Sequence, residues 1–266
     1  MPIKFGTAGI GPIKEVEHTF EEFAGVGIKA CEIPFTYGIY IKKDRHKKEI
    51  EQIKRASKKF GIQLSIHAPY WINLNSEEKE KVEKSKERIL GCCEVGNLIG
   101  AERIVFHPGY YSKKSPAETY QKIKGEILEL KKEIKKKNWN ITLCPETAGR
   151  ENVFGKENEI LQLVKDTDCF FTIDFAHLWA RNQGKKSYKK IYEKFRYFDK
   201  LHCHFSGIEY GKNGEKKHLI TSERTIKSLL KILPKNKDIT IINESPDPFG
   251  DSVKSLKVWK SLNTGR

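Results

Sequence analysis

Short runs of β-forming residues alternate with longer amphipathic segments along this 266-residue chain, and no other feature constrains its fold as strongly. Apolar residues recur at helical spacing between the runs, as in segments 77–98 and 116–136. The eight strand candidates are residues 3–7, 29–34, 63–68, 103–107, 141–146, 170–174, 200–205 and 239–244. Eight β/α units in a chain of this length predict a (β/α)8 barrel. Because no glycine-rich linker or low-complexity tract interrupts them, we expect a single domain over residues 1–266.

The composition narrows the class of protein further. No apolar run approaches the roughly 20 residues that span a bilayer, and the N-terminal sequence has no signal-peptide pattern, so we expect a cytoplasmic protein without a membrane partner. Six cysteines lie mostly in apolar runs without CxxC spacing, which predicts buried reduced thiols. The net charge of +15 permits a polyanionic partner. It does not require one, because the lysines alternate with glutamates on predicted outer helices.

A histidine or a carboxylate stands at the end of each of the last six strand candidates. These residues are His67, His107, Glu146, Asp174, His204 and Glu244. Any one of them alone is more often an ordinary polar residue or a helix cap. Six together indicate a shared site, because barrel enzymes build their active sites at the carboxyl ends of the strands. Burying several carboxylates close together is also costly unless a cation compensates their charge.

The chemistry of this set favours a divalent metal. Imidazole nitrogens and carboxylate oxygens, without a thiolate, suit Zn²⁺ or a similar first-row ion. The set is too large for one tetrahedral ion, so we predict a two-metal site. In such a site a carboxylate bridges ions about 3.5–4 Å apart, and the two ions together catalyse phosphoryl displacement. Glu146, central in the order of strands, is the predicted bridge.

Several long motifs resemble one enzyme family. The strings SIHAPYWINL, VFHPG, CPETAGR, IDFAHLWAR and HFSGIEYGKNGEKKHL are similar to those of endonuclease IV, the zinc-dependent apurinic/apyrimidinic endonucleases, from Phe5 to about Pro248. The resemblance implies a monomeric barrel with three zinc ions that cleaves double-stranded DNA 5′ to an abasic site. It implies a 3′-hydroxyl and a 5′-deoxyribose phosphate as products, with a metal-bound hydroxide as nucleophile.

The resemblance also implies ligands and DNA contacts. His67, His107 and Glu146 would hold one ion, and Glu146, Asp174, His204 and Glu244 a second. His177 and His218 would hold the third. The predicted DNA contacts are Tyr70, Trp71, Asn73, Lys212, Lys216 and Lys217.

The sequence departs from this family after the seventh strand candidate. The family's third ion is usually held by an Asp-x-His pair, whereas here the nearest acid, Glu215, precedes His218 by three residues. In an extended chain, spacing three puts two side chains on opposite sides unless a turn intervenes. Two or three ions per chain therefore stay open, with Glu215 as a further candidate ligand. Ser206 and Gly207 also differ from the family's polar pair.

His202 is the other candidate near this stretch. It shares the predicted strand face of His204, with Cys203 on the opposite face. We predict that His202 lies in the barrel interior, and it is the substitute ligand if the register is shifted.

Two other functions fit the sequence. Sugar isomerases and epimerases of the same barrel type hold one ion with residues such as Glu146, Asp174, His204 and Glu244, so the fold does not decide the reaction. A DNA-damage binding protein without turnover is the third interpretation. The additional pair of His67 and His107, with the basic loop GKNGEKK, favours the nuclease.

Overall fold

The predicted β-forming segments pair as parallel strands in the computed structural model, which describes residues 3–263. The described residues contain β1 (Lys4–Ala8), β2 (Ala30–Pro34), β3 (Gln63–His67), β4 (Arg103–Phe106), β5 (Thr142–Pro145), β6 (Ile173–Asp174), β7 (Lys200–Phe205), β8 (Gly207–Gly211), β9 (Gly214–Leu219) and β10 (Asp238–Asn243). Eight of them form one sheet in the order β5-β4-β3-β2-β1-β10-β7-β6. All its pairs are parallel. The predicted barrel is therefore confirmed; residues 1–2 and 264–266 of the predicted domain lie outside the described residues.

The barrel closes between β5 and β6 through Thr172. The Thr172 N–H donates to the Pro145 carbonyl at 3.1 Å, and the Thr147 N–H donates to the Thr172 carbonyl at 3.1 Å. A parallel bridge pairs Glu146 with Thr172 at this seam. The predicted strand 170–174 is consequently shorter than expected, with β6 reduced to Ile173 and Asp174.

Helices cover the outside of the barrel. They are α1 (Val16–Val26), α2 (Lys47–Phe60), α3 (Lys79–Ile99), α4 (Pro116–Lys136), α5 (Glu157–Thr167), α6 (Phe175–Arg181), α7 (Tyr188–Phe195), α8 (Glu223–Leu230) and α9 (Pro248–Ser261). The helix predicted over 116–136 has those bounds, because Ser115 and Glu118 form a capping box and Pro116 takes the first turn. The segment predicted over 77–98 is α3, shifted by one or two residues.

The stretch after β7 differs from the sequence prediction. We expected GKNGEKK, residues 211–217, to be a basic loop, but β8 and β9 form an antiparallel hairpin that stands apart from the barrel sheet. Its strands are short and polar, so the alternation of apolar residues that marks a buried strand is missing from the sequence.

The core consists of the strand side chains and the inner faces of the helices. Phe5, Phe106, Phe171 and Phe205 are among the fully buried residues. All six cysteines are free and buried, which confirms the predicted reduced thiols. Within residues 3–263, none of the helices combines the length and the apolar character that a bilayer crossing requires.

Candidate metal centre

The six strand-end residues meet around the carboxylate of Glu146, which is fully buried. Glu146 Oε2 lies 3.2 Å from His67 Nε2 and 3.4 Å from His107 Nε2. Its other oxygen, Oε1, lies 3.1 Å from His204 Nδ1. The two oxygens therefore face two different sets of ligands, which is the arrangement that a bridging carboxylate requires.

Parallel pairing explains why these residues converge. His67 and Asp174 are the last residues of β3 and β6, and the other ligand candidates lie at the same edge of the barrel. Asp174 pairs with His204 in the β6–β7 register. The strand pairing continues one residue beyond the strands, because the Glu146 N–H donates to the Phe106 carbonyl at 3.0 Å. The Glu244 N–H likewise donates to the Phe205 carbonyl at 3.2 Å.

A second group joins Glu146 to Asp174, His204 and Glu244, whose candidate ligand atoms all lie within 4.8 Å of one another. Glu244 Oε1 is 3.3 Å from His204 Nδ1. Asp174 Oδ1 caps α6 by accepting the His177 N–H at 2.6 Å, so this carboxylate is a helix cap as well as a candidate ligand. Its Oδ2 is buried and accepts no hydrogen bond. Since such an orphaned anionic oxygen is costly, the donor set fits a bound cation.

The charges in this cluster compensate one another. Burial raises the pKa of Glu146, but His107 and His204 outweigh it and hold that pKa well below its usual range. Burial likewise raises the pKa of Glu244, and His204 again outweighs it, leaving a pKa of about 2. Burial dominates at Asp174 and raises its pKa.

The two histidines that share one oxygen of Glu146 have opposite shifts. Burial lowers the pKa of His67, but its hydrogen bond to Glu146 outweighs burial and the pKa rises to about 8. Burial is decisive for His107, whose pKa falls to about 4. Near neutral pH a proton on His67 thus takes the position that a cation would occupy, and metal binding must displace that proton.

The third group contains Asp174, His177 and His218, whose candidate ligand atoms also lie within 4.8 Å of one another. His177 Nδ1 is hydrogen-bonded to the Thr147 carbonyl at 3.1 Å, which assigns the proton to Nδ1 and leaves Nε2 as the candidate metal-binding atom. That Nε2 lies 3.5 Å from Glu215 Oε2. Ser206 Oγ is 2.9 Å from His218 Nδ1, so the residue that departs from the family's pattern orients this histidine.

An irregularity in the hairpin explains how Glu215 and His218 share one side despite their spacing of three. Tyr210 pairs with Glu215 and Ile208 with His218, but the register shifts between them, so that Lys216 is the extra residue of a β-bulge. Ile208 and Tyr210 are two apart and share a face, so their partners do as well. In a regular strand a spacing of three would put Glu215 and His218 on opposite sides. The bulge therefore allows both side chains to face the same side of the hairpin.

The hairpin docks on the loop after β5 through two glycines. The Glu215 N–H donates to the Gly149 carbonyl at 3.1 Å. A Cβ at Gly149 would lie 2.6 Å from Glu215 Oε2, and one at Gly214 would lie 2.1 Å from the Gly149 carbonyl oxygen. Arg181 fixes the same loop, with hydrogen bonds to four of its carbonyl oxygens. These contacts hold Glu215 beside His177.

Burial raises the pKa of Glu215, but the imidazoles of His177 and His107 outweigh burial and lower that pKa. The carboxylate is therefore ionised next to the imidazoles, as a metal ligand has to be. Glu215 was the less certain candidate in the sequence, and its ligand role stays a prediction.

A cleft of about 580 Å³ at the mouth of the barrel is lined by six of the metal candidates, which are His67, His107, His177, Glu215, His218 and Glu244. Tyr70 lines this cleft and Trp71 follows it in the chain; both side chains, predicted to contact DNA, are about half exposed. The ring of Tyr70 stacks near His107 with centroids 6.4 Å apart. Asn73 Oδ1 accepts backbone N–H groups from Asn75 at 3.1 Å and Tyr110 at 3.3 Å, so its side chain braces the loop. Its DNA contact stays a prediction.

The predicted basic contacts lie on the hairpin. Lys212 is exposed in its turn, and Lys216 and Lys217 line the cleft. Both of these lysines lie near Glu209, at 3.3 and 3.4 Å. Such exposed ion pairs are weak and leave the charges available to a phosphate. Arg150 lines the same cleft and was missed, although it stands at the end of the CPETAGR motif.

Glu32 is the main residue that sequence reasoning missed. It lies on β2, is 1% exposed, and its Oε1 is 2.8 Å from His204 Nε2. Its Oε2 accepts a hydrogen bond from Ser65 at 2.7 Å and lies 3.0 Å from His202 Nε2. His202 is thus in the barrel interior as predicted, bound to Glu32 and not to the mouth cluster. A glutamate within the apolar run KACEIPF was the available signal.

Glu32 is ionised, because His204 and His202 outweigh its burial and hold its pKa well below the usual range. Glu32, His202 and His204 form a further group of possible ligands below the mouth. His204 therefore has a carboxylate on each side of its ring.

Comparisons with known proteins agree with this fold. The sequence profile described as xylose isomerase-like TIM barrel matches residues 20–262. An uncharacterized protein from Methanocaldococcus jannaschii is 38% identical over 275 residues, which cover 97% of each chain. A probable endonuclease 4 from Metamycoplasma arthritidis is 28% identical over 130 residues, which cover 47% of this chain and only 45% of that protein.

Two solved structures show the same fold at low sequence identity. Endonuclease IV from Thermus thermophilus superposes with a TM-score of 0.73 at 21% identity, over 99% of this chain and 100% of that one. A D-tagatose 3-epimerase-like protein gives 0.71 at 20% identity, over 98% and 97%. Both nuclease and epimerase barrels are therefore neighbours in fold. The chain belongs to the xylose isomerase-like TIM barrel family, and the endonuclease IV-like motifs of its sequence are borne out at this level.

Proposed function

We propose that this protein is a metal-dependent phosphodiesterase that cleaves duplex DNA 5′ to an abasic site. One observation carries the proposal: the oxygens of Glu146 are divided between His67 with His107 on one side and His204 on the other. A site for a single ion needs no such division, whereas phosphodiester hydrolysis uses neighbouring ions to stabilise both the attacking and the leaving oxygen. The name of the Metamycoplasma relative, a probable endonuclease 4, supports the same reaction class.

The donor set suits zinc. Six or more nitrogen and oxygen donors lie at one barrel edge without a thiolate, since all six cysteines are buried elsewhere as free thiols. Bound zinc would supply Lewis-acid stabilisation of the phosphate and a water of lowered pKa. The candidate ligands at the barrel mouth would hold the ions, and the buried carboxylates among them would compensate the charge of the ions.

The rim of the cleft supports a nucleic-acid substrate. Arg150, Lys216 and Lys217 offer cations to backbone phosphates, and Tyr70 and Trp71 offer exposed rings to bases or to the gap at an abasic site. A small neutral sugar requires neither feature. The metal candidates, which would act on the scissile phosphate, therefore lie next to basic and aromatic side chains suited to the flanking DNA.

A single-metal sugar epimerase is the second candidate. It is favoured by the compact group of Glu146, Asp174, His204 and Glu244, and by the epimerase-like structural neighbour. His107 lies outside this group, so a variant of His107 distinguishes the two proposed functions. Removing His107 would impair a nuclease with several ions but leave single-ion epimerisation largely unchanged.

The test combines a DNA duplex that contains one abasic analogue with a panel of ketoses. We expect metal-loaded protein to cut the abasic strand, a chelator to stop cleavage, and His107→Ala to reduce the rate by about 100-fold through lost charge stabilisation. His18→Ala, which changes an exposed histidine on α1, is the matched control. Ketose epimerisation that survives His107→Ala, with an uncut duplex, would select the epimerase. Tight binding of the duplex without cleavage would select the DNA-damage binding protein.

A further inference from the structure

The buried carboxylate of Glu32 has no place in the ion groups at the mouth of the barrel, yet it lies against one of their histidines. His204 Nδ1 faces Glu146 Oε1 at 3.1 Å and Glu244 Oε1 at 3.3 Å. The opposite ring nitrogen, Nε2, is 2.8 Å from Glu32 Oε1. An ion in the mouth cluster can therefore reach His204 only through Nδ1.

Glu32 Oε1 and His204 Nε2 are close enough to form an ion pair. The angles between them lie outside those of a hydrogen bond. Neither Glu32 Oε1 nor His204 Nε2 has a hydrogen-bond partner elsewhere. A small rotation of either side chain aligns two atoms that are already 2.8 Å apart. In that alignment Nε2–H donates to the carboxylate, and Nδ1 keeps its lone pair for the metal.

Two other groups hold Glu32 in this position. Ser65 Oγ donates to Oε2 at 2.7 Å, and His202 Nε2 lies 3.0 Å from the same oxygen. All of these side chains are buried, with exposures of 3% or less. An ionised carboxylate at such a depth is costly, and it is retained where it is paired and hydrogen-bonded. Of its partners, His204 is the one that connects it to the metal candidates.

We propose that Glu32 is a positioning residue that fixes the tautomer and ring orientation of His204, so that His204 binds metal through Nδ1. His202 and Ser65 hold Glu32 in turn. Metal-binding histidines commonly donate their second N–H to a carboxylate, and removing that carboxylate typically lowers metal affinity about 10–100-fold. The inference rests on metal binding by the cluster, as proposed above, and not on which reaction follows.

The first experiment measures the affinity and number of zinc ions in Glu32→Gln by competition with a chromophoric chelator. We expect affinity to fall about 10–100-fold, because the neutral amide accepts more weakly and can present an NH₂ group to His204. Glu126→Gln is the matched control, since Glu126 is a buried glutamate, 5% exposed, on α4 away from the cluster. Wild-type affinity in folded Glu32→Gln would overturn the inference and leave the proposed function intact.

The second experiment needs no variant of Glu32 and so does not depend on its folding. ¹⁵N-histidine-labelled full-length protein is loaded with ¹¹³Cd²⁺, and nitrogen–cadmium couplings report which ring atom of His204 binds the ion. Coupling to Nδ1, with a proton on Nε2, is expected. Coupling to Nε2 would refute the role of Glu32. A wild-type protein that binds no divalent metal would refute this inference and the proposed function together.

Discussion

The candidate ligands on the barrel and those on the β8–β9 hairpin reach the same cleft by different means. His67, Glu146 and His204 extend from parallel strands whose edge is a property of the barrel. Glu215 and His218 depend on a β-bulge and on close docking against Gly149. Since the barrel is fixed by many strand pairings and the hairpin by few, we predict that metal binding by the hairpin residues can be lost while binding by the barrel residues is kept.

The largest effect is expected at the barrel. Glu146→Gln removes the charge that faces both ion groups, so we expect loss of bound metal and a fall of about 10³-fold in abasic-strand cleavage, equivalent to about 4 kcal/mol. Zinc analysis and single-turnover cleavage check this result, with Glu126→Gln as the control. If Glu146→Gln kept its bound metal and its cleavage activity, Glu146 would not bridge two ions.

An intermediate effect is expected at the hairpin. In Gly149→Ala the new Cβ would lie 2.7 Å from the Glu215 Cβ and 3.2 Å from the His177 Cα. The hairpin must shift, so we predict that zinc content falls by one ion per chain and that cleavage falls about 10–100-fold.

Gly125→Ala is the control for this variant, because a Cβ at that helical position meets nothing within 4 Å. It should leave metal content unchanged and add up to about 1 kcal/mol of stability. Wild-type zinc content in Gly149→Ala would contradict a role of the hairpin in metal binding, and the contrast between barrel and hairpin would weaken.

The pH dependence of metal binding distinguishes two barrel ligands. The pKa of His67 is raised to about 8 and those of His177 and His204 are raised well above their usual range, so protons compete with the ion and apparent affinity should rise with pH. The slope is about tenfold per pH unit for each displaced proton. His107, with a pKa lowered to about 4, adds nothing to this slope above pH 5. Zinc competition between pH 6 and 9 measures the slope, and a flat profile would contradict the shift at His67.

The smallest effect concerns the hairpin lysines. Lys216→Ala and Lys217→Ala should each weaken binding of abasic duplex severalfold, and removing one lysine–phosphate pair should reduce the salt slope by about 0.9. Titrations at several salt concentrations provide the measurement. Lys29→Ala, at the opposite end of the barrel just before β2, should leave the slope unchanged. An equal decrease in the salt slope for Lys29→Ala would indicate general attraction between the positive protein and DNA, and no specific contact by the hairpin lysines.

Several features could be predicted from the sequence because they depend on local pattern. Strand and helix periodicities gave the eight β/α units, and parallel strands must end at a common edge. His67, His107 and Glu146 could therefore be placed together before their distances were known. The hairpin could not be predicted, because its strands are short and polar, and the bulge at Lys216 depends on pairing across the turn.

By itself, the sequence determined the barrel and the ring of strand-end candidate ligands, since each follows from residues within a few positions of one another. Only the tertiary structure decided which ring nitrogen of His204 is open to an ion and which side of the hairpin carries Glu215. Glu32 is 170 positions from His202 in the chain, yet it lies 3.0 Å from it, because β2 and β7 face each other across the barrel interior. Contacts of that range are set by how the sheet closes, which no local pattern encodes.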